Sequence, residues 1–412
     1  MPEIFQLANV PIVHGFNGDR SAVAVSQNSN EVQIYAKAGA KWEVAHKLTE
    51  HDKLVTSIDW APRTNRIVTC SHDRNAYVWN YAPDPETGAN SWQPTLVLLR
   101  LNRSATYVRW SPNEEKFAVA SGARTIAVCQ FDEESNWWVA KHIKKPLRTT
   151  VLSLDWHPNS VLLAAGSADG MARVFSAFMK GVDKKPEPTV WGERLPFNTV
   201  CGEFSSPAGG WVHAVAFSPE GDALAFAAHD ATITVVYPSG PDSAPQAIYT
   251  IQLLSLACLS LVFASPTSII AAGHDCQPYL FEGSASSLWK QTQSLDDTSS
   301  SSSAGRPGAA SAGGVGRLNK SEAFNMFRAA DSRGVGSGAP VVAAAGTRQT
   351  ANGTELTTVH QNTVTSVRKY QGGEGDGSDV TKVSTSGVDG RLVVWDVPGV
   401  GAISRGVGRM GM

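Results

Sequence analysis

A short block of residues recurs seven times along this chain of 412 residues. One copy reads VTSIDWAP (55–62) followed by IVTCSHDRNAYVW (67–79). Others read YVRWSP…FAVASGARTIAVC, LSLDWHP…LLAAGSADGMARVF, VHAVAFSP…LAFAAHDATITVV, LSLVFASP…IIAAGHDCQPYLF and VTSVRKY…KVSTSGVDGRLVVW, and a worn first copy reads AVAVSQNSNEVQIY. In every copy one position stands six residues before the apolar or aromatic residue that closes a strand: Ser29, Asp73, Ala123, Asp169, Asp230, Asp275 and Asp389. The gaps between these positions are 44, 50, 46, 61, 45 and 114 residues. A four-stranded propeller blade takes about 40–45 residues. Five gaps therefore hold one blade each, and the last holds a blade plus an insertion. The expected fold is all-β: a seven-bladed WD-repeat β-propeller, an architecture that more often offers surfaces to partners than performs chemistry.

Within each copy, β-branched and aromatic runs alternate with Pro, Asp-Gly or Ser-Pro turns. Trp60, Trp110, Trp156 and Phe217 each end a strand, and a turn-forming Pro follows within two residues. Asp73, Asp169, Asp230, Asp275 and Asp389 fall at turns, where a carboxylate accepts backbone N–H bonds. Closure matters, because an open sheet exposes an edge. The last copy supplies strands at 363–367, 380–385 and 391–395, so the strand-like segment Ile4–Val10 is expected to complete that blade. Blades one to six then span 1–290, with 1–13 contributing to the last blade, and blade seven spans 359–397. A Gly-rich tail follows at 398–412.

Residues 291–358 break the repeat and are rich in Ser, Gly and Ala. Such composition cannot bury enough apolar surface to fold alone. Inside it lies RLNKSEAFNMFRAADSRG (317–334), where Asn319 and Glu322 resemble a capping box. A short helix is expected over about 321–330. Phe324 and Phe327 would share one face, with Met326 at its flank and Arg328 beside it. Such a helix either docks back on the propeller or is offered to another protein; the alternative is a linker with an accidental pattern.

Net charge is −2, which leaves no field favouring nucleic acid or anionic lipid. The five cysteines form no C-x-x-C pair and suit reduced thiols of an intracellular protein. MPEIFQLANVPIVHGF lacks a basic region followed by an apolar run and does not read as a secretory signal. The apolar stretch 251–270 carries Gln252, Pro266 and several serines, and reads as two buried strands joined by a turn rather than a membrane span. His72-Asp73, His229-Asp230 and His274-Asp275 resemble catalytic pairs, but they recur at one repeat position, as a structural role requires. No nucleotide, metal or hydrolase motif is present, so no cofactor and no enzyme activity is expected. The cluster Lys141, Lys144, Lys145 and Arg148, preceded by Trp137 and Trp138, is either a solvated loop or a docking patch for an acidic segment. Residues 180–200 form a long surface excursion whose role is not legible.

At several of these strings the chain resembles a known family. IDWAP…NRIVTCSHDRNAYVW (58–79), SPNEEKFAVASG (111–122), NWWVAKHIKKPLRTTVLSLDWHPNSVLLAAGSADG (136–170) and AAGHDCQPYLF (271–281) are similar to the WD-repeat subunit 1 of the actin-related protein 2/3 complex. WWVAKHIKKP belongs to that resemblance although no blade geometry demands it. The resemblance implies a non-catalytic subunit of an assembly that nucleates branched actin filaments. Its implied partners are actin-related proteins 2 and 3, small scaffold subunits, the actin filament and nucleation-promoting factors. Nucleic acid and membrane insertion are not among them. The implied location is the cytoplasm and actin cytoskeleton, at cortical patches or leading edges. The insert would reach actin, and the cluster at 141–148 is a candidate for acidic tails. Other scaffolds, such as a ubiquitin-ligase substrate receptor, and a propeller hydrolase are the alternatives.

Overall fold

The computed structural model describes residues 2–7, 13–39, 41–84, 88–193, 195–240, 243–296, 347–350, 353–373 and 379–399. Seven four-stranded antiparallel sheets are present among them. We call the strands a to d, from the ring axis outward. Strands a are Val13–Phe16, Val55–Ala61, Ala105–Trp110, Val151–Trp156, Val212–Phe217, Cys258–Ser265 and Val364–Gln371. Each packs on strand a of the next blade, and the seventh packs on the first, closing the ring. Strand d of blade 7 is Glu3–Gln6, which pairs antiparallel with Arg391–Asp396 from Glu3↔Val394 to Gln6↔Arg391. The Leu7 N–H extends this ladder to the Gly390 carbonyl at 2.8 Å, and the Leu7 side chain is buried beside Phe16 and Leu392.

Alternating apolar residues put one buried cluster between each pair of blades. Val78, Val97, Val108, Phe117 and Trp138, for example, fill the space between blades 2 and 3. The stretch 251–270 contains the expected two strands joined by a turn, at Pro266–Thr267, and also part of the preceding blade. It holds the end of strand d of blade 5 (Ala247–Gln252), then a crossover, then strand a of blade 6 and the start of strand b (Ser268–Gly273). The crossover within this apolar run buries Leu253 and Ala257 but exposes Leu254 and Leu256. Strand d of blade 6 (Ser287–Ser294) also runs into the stretch assigned to the insert. An outer strand needs only one anchored face, and here buried Trp289 supplies it, its indole N–H donating to the Tyr237 hydroxyl at 3.1 Å. A further hairpin, Thr347–Thr350 with Gly353–Leu356, lies in the same stretch. The expected helix at about 321–330, with Phe324, Met326, Phe327 and Arg328, falls outside the described residues.

The turn aspartates act structurally, but not with the histidines adjacent in sequence. Asp73 accepts the Asn75 N–H at 2.8 Å and bonds His51 Nδ1 at 2.6 Å. His51 Nε2 in turn meets Thr69 Oγ1 at 2.8 Å, and that hydroxyl also takes the Trp79 indole N–H at 3.0 Å. Blade 7 repeats the network with Asp389, His360, Thr385 and Trp395. Burial pushes the Asp73 and Asp389 carboxyls up, but the histidine and backbone bonds outweigh it and hold both below the ordinary range. Asp169 pairs with Arg173 at 2.9 Å, Asp230 accepts the Thr232 hydroxyl at 2.6 Å, and Asp275 accepts the Leu256 N–H at 3.1 Å.

Around the channel, one position per blade sits just before the closing residue of strand a: Gly15, Asp59, Arg109, Asp155, Ala216, Val262 and Arg368. Asp59 is bracketed by Arg109 and Arg368, each with a guanidinium N at 3.2 Å, and accepts the Trp110 N–H at 2.8 Å. Arg368 belongs to blade 7, so it reaches across blade 1, where Gly15 leaves the equivalent side-chain space empty. The excursion after strand c of blade 4 is pinned rather than free. Trp191 is fully buried, with its indole N–H on the Gly221 carbonyl at 2.7 Å, and buried Lys116 binds Asp183 and the Ala177 carbonyl.

Candidate partner-binding surface

In an antiparallel blade the b–c turn and the d-to-a crossover open on the same face of the ring, and the a–b and c–d loops on the other. The first of these faces carries an arc of cations over blades 2 to 4. Arg74 lies in the b–c turn of blade 2, Arg100 and Arg103 in the next crossover, and Arg124 in the b–c turn of blade 3. Lys144, Lys145 and Arg148 follow in the crossover to blade 4. All seven are exposed, and none makes an ion pair among the described residues. The blade 3 turn adjoins both flanking crossovers, since a Cβ on Gly122 would lie 3.6 Å from Arg103 Cβ and 3.8 Å from Thr150 Oγ1.

The sequence cluster at 141–148 is thus divided by the structure. Lys144, Lys145 and Arg148 join the arc. Their loop is anchored by Leu147, buried among Leu154, Trp156 and Phe175. Lys141 stays on strand d of blade 3 (Trp137–Ile143), with its ammonium 4.3 Å from the Phe197 ring centroid. Trp138 is buried against Trp110 and Phe117, while Trp137 is exposed.

Arg74, Arg100, Arg103 and Arg124 escaped sequence reasoning because they are spread over separate turns. A signal existed in the repeat. The b–c turns of blades 4 and 7 place Gly170 (φ 76°) and Gly390 (φ 83°) at a left-handed position, whereas blades 2 and 3 place Arg74 (φ 75°) and Arg124 (φ 57°) there. Left-handed backbone costs an L side chain about 1 kcal/mol or more. Blades 5 and 6 bear the same cost with Ala231 (φ 57°) and Cys276 (φ 62°), so the backbone tolerates any small or long side chain there and the two arginines are set apart by their charge alone.

The same face changes character over blades 5 and 6. Trp211, Leu254 and Leu256 are exposed there, Leu254 at 95%. Beside them His213 Nε2 lies 2.9 Å from His229 Nδ1. Burial, with His229 and His274 adding to it, pushes the His213 imidazole down to about 4. The crossover from blade 6 to blade 7 is where the insert leaves and returns, on this same face. Its two ends are tied together: the Val359 N–H donates to Asp296 Oδ2 at 2.6 Å.

No group of three or more His, Cys, Asp or Glu suited to a metal occurs among the described residues. All five cysteines are buried free thiols. Among the described residues, no helix is long and apolar enough to cross a membrane.

The WD domain, G-beta repeat family matches residues 42–80 and 141–176. Over 384 residues the chain is 48% identical to actin-related protein 2/3 complex subunit 1 of Schizosaccharomyces pombe, an alignment covering 93% of this chain and 95% of that protein. This chain belongs to the actin-related protein 2/3 complex subunit 1 family. Subunit 1A-B of Xenopus laevis is 44% identical, with 93% of each chain covered. Subunit 1B of Arabidopsis thaliana is 36% identical over 404 residues, with 96% of each covered. Lys144, Lys145 and Arg148 lie within the second matched span, in the crossover that leads into blade 4.

Proposed function

We propose that this chain is a non-catalytic structural subunit of an actin-related protein 2/3 complex, supporting the nucleation of branched actin filaments. The observation that carries this is the 48% identity to a named subunit 1 across 93% of the chain. Its partners in this reading are actin-related proteins 2 and 3, the small scaffold subunits and the actin filament, in the cytoplasm at cortical patches or leading edges. The insert, with Phe324, Met326, Phe327 and Arg328, contacts actin. The basic arc receives the acidic tail of a nucleation-promoting factor. Seven exposed, unpaired cations on one face suit an extended acidic peptide, which they attract over about a Debye length and hold by several weak contacts.

Purification of the tagged chain from its own cells tests the assembly. Stoichiometric recovery of two actin-related proteins and the small subunits is expected; recovery of ligase adaptors, or of the chain alone, refutes it. Charge reversal of Lys144 and Lys145 tests the arc. Each exposed pair is worth about 0.2–1 kcal/mol, so the double variant should bind an acidic activator peptide roughly two- to thirty-fold more weakly at low salt. Equal affinity would remove the arc from the proposal. Phe324→Ala with Phe327→Ala should leave the complex assembled and lower branch density by microscopy; unchanged density refutes the actin contact.

A further inference from the structure

The channel interior departs from the repeat at one residue. The residue that closes strand a on the ring is aromatic in six blades: Phe16, Trp60, Trp110, Trp156, Phe217 and Phe263. In blade 7 the equivalent residue, paired with Val383, is Lys369. No carboxylate among the described residues lies within ion-pair distance of its ammonium, and no hydrogen bond is made to it. A partly buried ammonium in place of an aromatic ring, with no ion-pair partner among the described residues, is a costly exchange unless something else supplies the charge.

Lys369 lines a cavity of about 230 Å³ on the ring axis, with Arg109, Tyr107, Thr56, Ser153 and Asp155 among its walls. The charged residues of its lining are Asp155 against Arg109 and Lys369, one carboxylate to two cations. Asp59 is already shared by Arg109 and Arg368, and Asp155 accepts the Phe217 N–H at 2.8 Å. Arg109 uses Nη1 on Asp59 and makes no other side-chain hydrogen bond among the described residues. The buried Ser153 hydroxyl and Arg368 Nε have no partner at all among them. Burial depresses the Lys369 ammonium, Arg109 adds to that, and Asp155 opposes it. Volume limits what could enter. The cavity is smaller than sites for drug-sized ligands, at roughly 300–1,000 Å³, but it exceeds the share of several waters at about 30 Å³ each.

We propose that the central channel is a binding site for a small inorganic or carboxylate anion, held between the Lys369 ammonium and the Arg109 guanidinium. The anion joins strands a of blades 3 and 7 across the axis and compensates the excess positive charge. It occupies the channel interior, distinct from the basic arc on the face.

The test uses the full chain with inorganic phosphate as probe, ionic strength being held constant with potassium chloride. The thermal midpoint is expected to rise with the logarithm of phosphate concentration, as for any ligand that binds only the folded state. Lys369→Met is expected to abolish that rise while leaving the phosphate-free midpoint unchanged or higher. The charge-reversed Lys144/Lys145 variant is expected to keep the rise. No rise in the wild-type chain overturns the proposal, as does a rise that survives Lys369→Met and vanishes in the Lys144/Lys145 variant. Equilibrium dialysis of labelled phosphate against the Lys144/Lys145 variant needs no channel substitution. One site per chain is expected, and none refutes the site.

Discussion

Asp59 is where the ring's charges are most tightly coupled, and Asp59→Ala is the sharpest probe of what holds blades 7, 1, 2 and 3 together. Its carboxylate accepts from Arg109, Arg368 and the Trp110 N–H, and all three ionic side chains are less than a fifth exposed. Burial raises the Asp59 carboxyl, and Arg109 opposes that rise. The triad is therefore not a source of net stability relative to apolar side chains, yet removing one member strands the other two. Breaking a buried pair in this way costs about 3–5 kcal/mol, of which an orphaned Trp110 N–H accounts for about 1–3 kcal/mol. Asp59→Asn should cost less, since its amide oxygen still accepts that N–H. Replacing Asp59, Arg109 and Arg368 together by apolar residues should recover most of the loss. Urea unfolding followed by tryptophan fluorescence reads the midpoint, with the slope expected to stay constant. If Asp59→Ala shifts the midpoint no more than the surface change Glu133→Ala, expected within about 0.5 kcal/mol, the charge network has no part in holding the blades.

Two further outcomes follow from buried groups. Trp79 is 2% exposed and donates to Thr69, so Trp79→Ala should destabilise by about 3–5 kcal/mol; a loss under about 1 kcal/mol in the same assay would show that the blade 2 cluster collapses around the gap. His14 is fully buried between the Ser384 and Ser386 hydroxyls, and burial, with Arg109 and His360, pushes it down to about 3. Below the usual 6.5 the unfolded chain binds a proton that the folded chain refuses. Stability should therefore be full above pH 6.5 and fall as pH drops toward 3, by up to about 1.4 kcal/mol per pH unit for this residue. His14→Gln should flatten part of that slope, and an unchanged slope would assign it to other groups.

The ring was legible because its evidence is repetitive: seven copies of one spacing outweigh the ambiguity of any single strand. The turn role of the aspartates was legible for the same reason. What escaped were pairings between residues distant in sequence. Asp73 bonds His51, not His72, because the crossover from blade 1 folds back over the b–c turn. Arg368 reaches Asp59 only because blade 1 carries Gly15 between them, a relation that exists in the closed ring and nowhere in a single repeat. The basic arc was visible only in part, since the run at 144–148 is local in sequence, whereas Arg74, Arg100, Arg103 and Arg124 meet it only once the turns share a face. The hairpin at 347–356 lay hidden in a stretch whose composition argued against strands.

The pairing of residues 3–6 with 391–394 has a consequence for biosynthesis. Those first residues leave the ribosome long before their partners exist, roughly 20–80 s earlier at about 5–20 residues per second. Through that interval the nascent chain is an open stack with two raw ends. A transcript cut short anywhere before blade 7 yields a product that no amount of waiting can finish. Quality control thus has a simple cue, because only a product translated through blade 7 can pair residues 3–6 with their partner strand.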